Sequence, residues 1–545
     1  MSEVSPSITG GEALIAALAE HGTEVVFGIP GTHNLAAYAA MAARGMRHVL
    51  VHHEQGAGYA ADGYARSSGK PGVVLTTTGP AILNAAAAAA QAYSDSVPVL
   101  FISPGMPVRH PGLGNGLLHE VKDQSRAMSS VVSYSHRVTS LGEIPLAVAK
   151  AFAAMTTGRP RPVHLEIPLD VLEERGPAVR PLPMVVSPRP PSTSETIAAA
   201  ARSLSRARRP VIVAGGGAGG ARDELIAFAE ALDAPVFCTA NGKGIFPPDH
   251  PLFAGDGVHH PSVRDAVAAS DAVIGVGTEL APSDWWLGLP PMKQLVRIDI
   301  DPQAVHVNAV AMHPLVGDAS ATLAVLTTGV ERVSGARQAS AASLRAAHRE
   351  DARREGSDWL SLLSEVEEAL PRDAIVAGDS AMVCYYGALS NLPVFAPRSF
   401  LYPTGGGTLG FGLPAGIGAQ VANPDRPVLI LHGDGGLMFS LAELATAVRM
   451  RLPLAIIVVD NGGFGEIRNE MVDRADRVHA VALGSPDLVS VARGLGCRAV
   501  HVENLADIGA HLRSAFAADR PTLLHVWEDS RAAHGMRAAA GPAFA

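Results

Sequence analysis

Residues 432–466 read HGDGGLMFSLAELATAVRMRLPLAIIVVDNGGFGE, and the alternation of apolar runs with glycine turns in them decides the fold. The run 427–431 just before the stretch, and 454–459 within it, have the length and composition of buried strands. Between them, 440–450 carries apolar residues at helical spacing. Strand, helix, strand is a parallel unit, and it brings both strand ends to one sheet edge, where open α/β sheets bind ligands. Those ends are Gly433-Asp434-Gly435 and Asp460-Asn461-Gly462-Gly463. A hard divalent cation takes oxygen ligands, and Asp434, Asn461 and a glycine carbonyl offer them. Glycines beside those oxygens would let a diphosphate reach backbone N–H groups.

The rest of the chain sets the frame. Its 545 residues are too many for one core and imply three or four domains. With 48% hydrophobic and 17% charged residues the composition is that of a globular protein. A formal charge of −9 argues against a nucleic-acid or anionic-membrane surface. Cys238, Cys384 and Cys497 lie too far apart in sequence to suggest a disulfide framework or a metal cluster. The first forty residues hold neither Lys nor Arg, against a signal peptide, and the longest apolar run around 85–90 is too short to span a bilayer. The expectation is a cytoplasmic enzyme.

From Gly10 onward the pattern alternates. Helices are expected at 13–19, 56–65 and 84–93, and strands at 24–28, 49–53, 73–77 and 97–102. Such alternation predicts a parallel sheet covered by helices on both faces. Glu54 follows His52 and His53 where a strand ends; a half-buried carboxyl there can hold or pass a proton, or can simply be a dipole-favoured first helical residue. The loop 107–124, PVRHPGLGNGLLHEVKDQ, puts His110, His119, Glu120, Asp123 and Gln124 at a sheet edge, as an active-site rim would, although loop histidines are commonly just solvated. A strand over 159–170 closes the first domain, 1–185, before a proline-rich linker.

A second domain, 190–345, opens with a helix at 196–205 and a strand at 211–214. GGGAGG at 215–220 matches a dinucleotide fingerprint formally, but the next strand, 235–239, lacks the acid at its end that ribose recognition needs. A structural use of these glycines is favoured. Strands at 272–276 and 295–300 make the domain Rossmann-like; Trp285 and Trp286 are expected in a core or interface. The Ala/Arg/Ser-rich segment 334–355 reads as a solvated helix or linker. A third domain, 357–531, carries a strand at 374–376, the loop Gly378-Asp379-Ser380, the glycine-dense PTGGGTLGFGLPAGIGAQ at 403–420, the opening stretch, and a last strand at 521–526. Residues 532–545 read as a mobile tail. The fold class is therefore α/β, three Rossmann-like domains with parallel sheets.

Asp434 and Asn461 stand 27 positions apart at the two ends of one strand–helix–strand unit. Together with Glu54, HEQGAGYAADGYAR, GRPRPVHLEIPLDV and GTLGFGLPAGIGA, this spacing resembles the thiamine-diphosphate-dependent enzymes of the acetolactate synthase and pyruvate decarboxylase superfamily over nearly the full chain. The resemblance implies pyrimidine-binding, central and diphosphate-binding domains in that order. It implies Mg²⁺ at Asp434, Asn461 and the Gly463 carbonyl. Glu54 would bond the aminopyrimidine ring nitrogen, Leu409 would wedge the cofactor into its V shape, and the Gly407 carbonyl would accept from its amino group. Gly79, Asn84, Asp379, Ser380, Gly433, Gly435, Gly436 and Phe464 complete the cofactor-binding set it implies. Sites shared between two subunits, in a homodimer or homotetramer, also follow from it. FAD in the central domain is compatible with the sequence but not predicted from it.

Within the superfamily, Thr32-His33-Asn34 and the LHE around His119 depart from the acetolactate synthase pattern. Pyruvate decarboxylases have two adjacent histidines before LGNG; here His110 matches the first and Pro111 replaces the second. Their later glutamate falls on Ile467, next to Glu466. FGIPGTHN, LHEVKDQ, GVGTELAPSDWW and RIDIDP are similar to the 5-guanidino-2-oxopentanoate decarboxylases. The catalytic candidates are thus Glu54, Thr32, His33, His110, His119 and Glu466. A guanidinium substrate asks for a carboxylate partner, and Glu466, Glu470, Glu120 and Asp123 are available. The leading expectation is non-oxidative decarboxylation of a 2-oxo acid to an aldehyde. A carboligase joining two 2-oxo acids is the alternative, and an inactive nucleotide-binding protein using the GGGAGG segment is a remote one.

Overall fold

The computed structural model describes residues 7–184, 189–331, 338–484 and 486–529, so the segment read as a mobile tail lies outside the described residues. Its framework is three six-stranded sheets in which every strand pair is parallel. Central strands such as Val25–Gly28, Pro210–Ala214 and Leu454–Asp460 are buried along their whole length. Parallel strands covered on both faces have no solvent side, and so they read as unbroken apolar runs.

The chain forms two compact units. The first comprises Met1–Pro188 with Gly405–Pro424 and Ser440–Met450, the second Arg189–Thr404 with Asp425–Phe439 and Arg451–Ala545. The sheet of the first unit runs in the order Arg47–Leu50, Val25–Gly28, Gly72–Leu75, Val99–Gly105, Val163–Pro168, Tyr134–Arg137. A short antiparallel pair, Ser7–Thr9 with Arg175–Pro177, stands outside it. The helix Glu54–Ser68 packs in this unit against Gly412–Ala422, and glycine sets the approach. A Cβ on Gly418 would sit 1.8 Å from the Ala60 carbonyl oxygen, and one on Gly63 2.1 Å from that of Ala415. Arg66 of the same helix is ion-paired with Asp62 and, at 2.8 Å, with Asp95.

The second unit holds the other two sheets. One runs Phe253–Asp256, Val236–Cys238, Pro210–Ala214, Ala272–Val276, Leu295–Asp299, His313–Val316, the 3-2-1-4-5-6 order of a dinucleotide-binding sheet. The other runs Phe400–Leu401, Ile375–Gly378, Val428–Gly433, Leu454–Asp460, Thr522–Trp527, Arg498–His501. Its strand order, 2-1-3-4-6-5, is that of the first unit's sheet. In both, the order reverses between the first and third strands, and ligands of open parallel sheets bind at that switch point.

Several elements differ from expectation. The strand expected at 49–53 is Arg47–Leu50, which frees His52 and His53 to lead into the helix, and the helix expected at 440–450 is confined to Glu443–Arg449. The strand within 159–170 is Val163–Pro168, the last strand of its sheet in chain order, and Tyr134–Arg137 pairs outside it as the edge. Of the helix or linker read around 334–355, the helix is what forms, Gln338–Glu355, but it is not solvated all round: Ala341, His348 and Ala352 are buried and Arg345 donates to the Phe253 carbonyl at 2.6 Å. Its Ala and Arg content hides a packed face. The GGGAGG segment forms the turn Gly216–Ala218, and Gly217 N donates to Gly277 O at 3.0 Å. A Cβ on Gly215 would lie 2.5 Å from that same oxygen, which gives these glycines a packing use. Trp285 is buried, whereas Trp286 is 44% exposed. Cys238, Cys384 and Cys497 are buried free thiols.

Candidate active site

In the second unit, Gly378 pairs with Leu431 across the switch point and Gly433 pairs with Val459. The residues that follow, Asp379-Ser380, Asp434-Gly435-Gly436 and Asn461-Gly462-Gly463, therefore emerge together at the carboxyl edge of the sheet. Asp434 is 1% exposed and Asn461 9%. Asn461 N donates to Asp434 Oδ1 at 3.4 Å, and Gly463 N donates to Asn461 Oδ1 at 3.3 Å. Buried oxygens gathered at one loop end suit a hard divalent cation. The turn also depends on small residues. A Cβ on Gly436 would lie 2.0 Å from Asp379 Oδ2, and Gly463 has φ +152 with its would-be Cβ 2.1 Å from Val481 O. Phe464 lies against Gly435, and His432 Nδ1 stands 3.3 Å from Asp379 Oδ2. Asp460 bridges this loop end and the last strand: its Oδ1 accepts from Gly462 N at 2.9 Å, and its Oδ2 is 3.0 Å from His525 Nε2.

Glu466 opens the helix Gly465–Asp473 directly beyond the glycines. It accepts from the Tyr386 hydroxyl at 2.6 Å, and Tyr385 and Trp286 stand around the same tyrosine, with ring centroids 4.5 and 5.8 Å away. Burial first, and then nearby Glu470 and Asp473, push the Glu466 carboxyl above the ordinary glutamate range against the lowering effect of the tyrosine hydroxyls. Glu470 itself is exposed.

In the first unit, the loops after Val25–Gly28 and Gly72–Leu75 flank the other switch point. His33, buried in the turn Thr32–Asn34, has Nδ1 3.0 Å from Thr78 Oγ1. Its ring meets that of His119 edge-on at 5.2 Å, and burial, reinforced by His119, holds its pKa below the usual value. His119 has φ +62, and its Nδ1 is buried with no hydrogen-bond partner among the described residues. Gly79 has φ +65 and would carry a Cβ 2.1 Å from the His119 carbonyl oxygen. Gly79 N donates to Gln124 Oε1 at 3.0 Å, while Gln124 Nε2 donates to Ser103 Oγ at 3.1 Å, which is 2.9 Å from His164 Nε2. Glu54 is the first residue of Glu54–Ser68, and Asn84 Nδ2 donates to its Oε2 at 3.0 Å. His33, Glu54, Gly79, Asn84 and His119 thus all stand on loops or helix starts at the carboxyl edge of this sheet, beside Thr32. His110 does not join His33 and His119: it turns to Asn115 Oδ1 at 3.0 Å and Glu120 Oε1 at 3.5 Å in its own loop. Glu120 further accepts from Gly116 N, and Asp123 caps the helix Gln124–Ser129, so both acids are engaged locally. Gly407, with φ +58, and Leu409 lie in the segment whose Thr408 Oγ1 donates to Gln91 at 3.2 Å.

One functional residue escapes sequence reasoning. Glu443 is buried, and its carboxylate accepts from His52 N at 3.1 Å, His53 N at 3.0 Å and the Thr446 hydroxyl at 2.6 Å. It thereby fixes the backbone that presents Glu54. The available signal was an acid on the apolar face of a short helix, SLAELATAV.

Comparison with known proteins accounts for this arrangement. Family models match residues 8–127 (thiamine pyrophosphate enzyme, N-terminal TPP binding domain), 197–326 (central domain) and 381–526 (C-terminal TPP binding domain). The probable 2-ketoarginine decarboxylase AruI of Pseudomonas aeruginosa is 41% identical over 95% of this chain and 94% of its own. This chain belongs to the thiamine pyrophosphate enzymes. A probable acetolactate synthase large subunit of Methanocaldococcus jannaschii is 34% identical over 95% of this chain and 91% of its own. A solved structure from Mycobacterium smegmatis described as a thiamin diphosphate-dependent enzyme superposes with a TM-score of 0.81 at 28% identity, covering 96% of this chain and 99% of its own. The thiamine pyrophosphate enzyme fold explains the two like sheets, each with polar groups at its switch point. Among the described residues no helix is long and apolar enough to cross a membrane.

Proposed function

We propose that this thiamine pyrophosphate enzyme decarboxylates 5-guanidino-2-oxopentanoate, which is 2-ketoarginine, to CO₂ and the corresponding aldehyde. The observation that carries the substrate is Glu466: a half-buried carboxylate held by a tyrosine hydroxyl beside three aromatic rings, five positions after Asn461. A guanidinium is planar, weakly hydrated and always charged, so it pairs with a carboxylate and lies on aromatic faces. Likeness to AruI supports the same substrate.

Asp434, Asn461 and the Gly463 carbonyl would hold Mg²⁺, and Asp379, Ser380 and the amides of Gly433, Gly435, Gly436 and Phe464 would hold the diphosphate. Bound thiamine diphosphate supplies an electron sink for the charge left when CO₂ departs. Glu54, with one oxygen fixed by Asn84, would bond the aminopyrimidine and hold or pass a proton there, and Gly79, the Gly407 carbonyl and Leu409 would hold that end of the cofactor. His33, kept neutral by burial, and His119, with its unpartnered Nδ1, are the groups that deliver the proton completing the aldehyde. Thr32 stands exposed in the turn before them, which Gly31 N and Asn34 Oδ1 hold at 2.8 Å, and His110 with Glu120 stiffens the rim. The domains fall at 1–185, 190–345 and 357–531, in a cytoplasmic homodimer or homotetramer with sites built across subunits. A carboligase outcome rests on the likeness to acetolactate synthases; equal yields of aldehyde and CO₂, with no 2-hydroxy-3-oxo acid, exclude it as the main activity.

Glu466→Gln tests the substrate. The expected result is a fall of roughly ten- to a hundredfold in kcat/KM for the guanidino acid, the cost of a lost charged hydrogen bond, with an uncharged 2-oxo acid of equal length unaffected. Equal losses on both substrates would remove Glu466 from cation recognition.

A further inference from the structure

On the far side of Trp286 from Tyr386, the second unit contains a further cluster of titratable side chains. His259 and His260, both buried, follow the strand Phe253–Asp256, and Glu355 ends the helix Gln338–Glu355. His259 Nε2 is 2.9 Å and His260 Nδ1 3.8 Å from the same oxygen, Glu355 Oε2, and the three ligand atoms lie within 4.8 Å of one another. We infer that His259, His260 and Glu355 form a site for a divalent transition-metal ion of the Zn²⁺ type.

Hydrogen bonding fixes the tautomer that makes the case. Ser390 Oγ donates its one hydrogen to the Asp256 carbonyl at 2.9 Å. Its contact with His260 Nε2, also 2.9 Å, must then be accepted by the serine from the ring N–H. Nδ1 of His260 is left as a bare lone pair, and it points at a carboxylate oxygen that has only lone pairs to offer. At 3.8 Å the two atoms are too far apart for a hydrogen bond. A cation bonded to both removes that repulsion. Atoms 2.9 and 3.8 Å apart can each reach a metal at about 2.0–2.2 Å, the span of nitrogen and oxygen ligands on zinc. Two imidazoles and one carboxylate are the ligand types that select zinc and its neighbours over Mg²⁺. Ser390 supplies the outer partner that ligating histidines require, and Trp286, stacked 3.9 Å from the His259 ring, covers one side. The ion would tie the helix to the end of the central sheet.

The test is Zn²⁺ binding to the full-length holoenzyme with thiamine diphosphate and saturating Mg²⁺ present, measured by competition with a chromophoric chelator. One tight equivalent per chain is expected, retained in Asp434→Ala, weakened roughly ten- to a hundredfold in Ser390→Ala, and lost in Glu355→Gln and His259→Ala. Absence of a tight equivalent in the wild-type enzyme overturns the inference even should a variant fail to fold. So does an equivalent that survives Glu355→Gln or disappears in Asp434→Ala.

Discussion

Glu54 and Glu443 illustrate how one carboxylate depends on another. Glu54→Gln keeps the shape and loses the proton, so thiamine diphosphate should still bind while turnover falls roughly 10²–10⁴-fold. Wild-type turnover in that variant would end its assignment. Glu443 touches no reacting group; it holds His52 and His53 by their backbone N–H groups. Glu443→Ala removes the acceptor of those N–H groups and should lower both the melting temperature and kcat. Glu443→Gln retains an acceptor and should recover much of the melting temperature. If Ala and Gln melt alike, the backbone clamp is not the role. Glu466 adds a pH signature. Its carboxyl titrates above the ordinary range, so cation recognition should fail on acidification at a pH above that of a free glutamate, and Glu466→Gln should flatten this limb.

At the level of elements, stability follows buried polar groups. Burial pushes His164 down to about 3, between Ser103 Oγ at 2.9 Å and Ser135 Oγ at 2.7 Å. A histidine held neutral in the fold must charge in the unfolded chain. Its contribution is full above about 6.5 and is lost as pH falls from there toward 3. Thermal melts of wild type and His164→Asn should therefore diverge above pH 6.5 and converge in acid; a constant gap would refute this. Strands were legible in the sequence where burial on both faces left continuous apolar runs, as in 427–431 and 454–459. Tyr134–Arg137, only partly buried along its length, left no such signal, and neither did the packed side of Gln338–Glu355 under its Ala and Arg residues. The metal and cofactor candidates were legible because glycine and acid crowd into short turns. Glu443 was not, because its partners are backbone N–H groups nearly 400 positions away.

For the whole molecule, two sheets of one topology each gather polar groups at a switch point: a carboxylate-and-histidine set around Glu54, His33 and His119, and an oxygen-and-glycine set around Asp434 and Asn461. Spacing in the sequence singled out Asp434 and Asn461 alone, and the strand orders explain why the residues of each set stand at one sheet edge. An assembly of two or four chains is expected by analytical ultracentrifugation of the loaded enzyme; a monomer with full activity would contradict shared sites. Most direct is product analysis with 5-guanidino-2-oxopentanoate in the presence of thiamine diphosphate and Mg²⁺, alongside pyruvate and an uncharged 2-oxo acid of equal length. The account predicts that the guanidino acid is turned over with the highest kcat/KM, giving CO₂ and aldehyde in equal amounts. Faster turnover of pyruvate, with a 2-hydroxy-3-oxo acid as product, would contradict it.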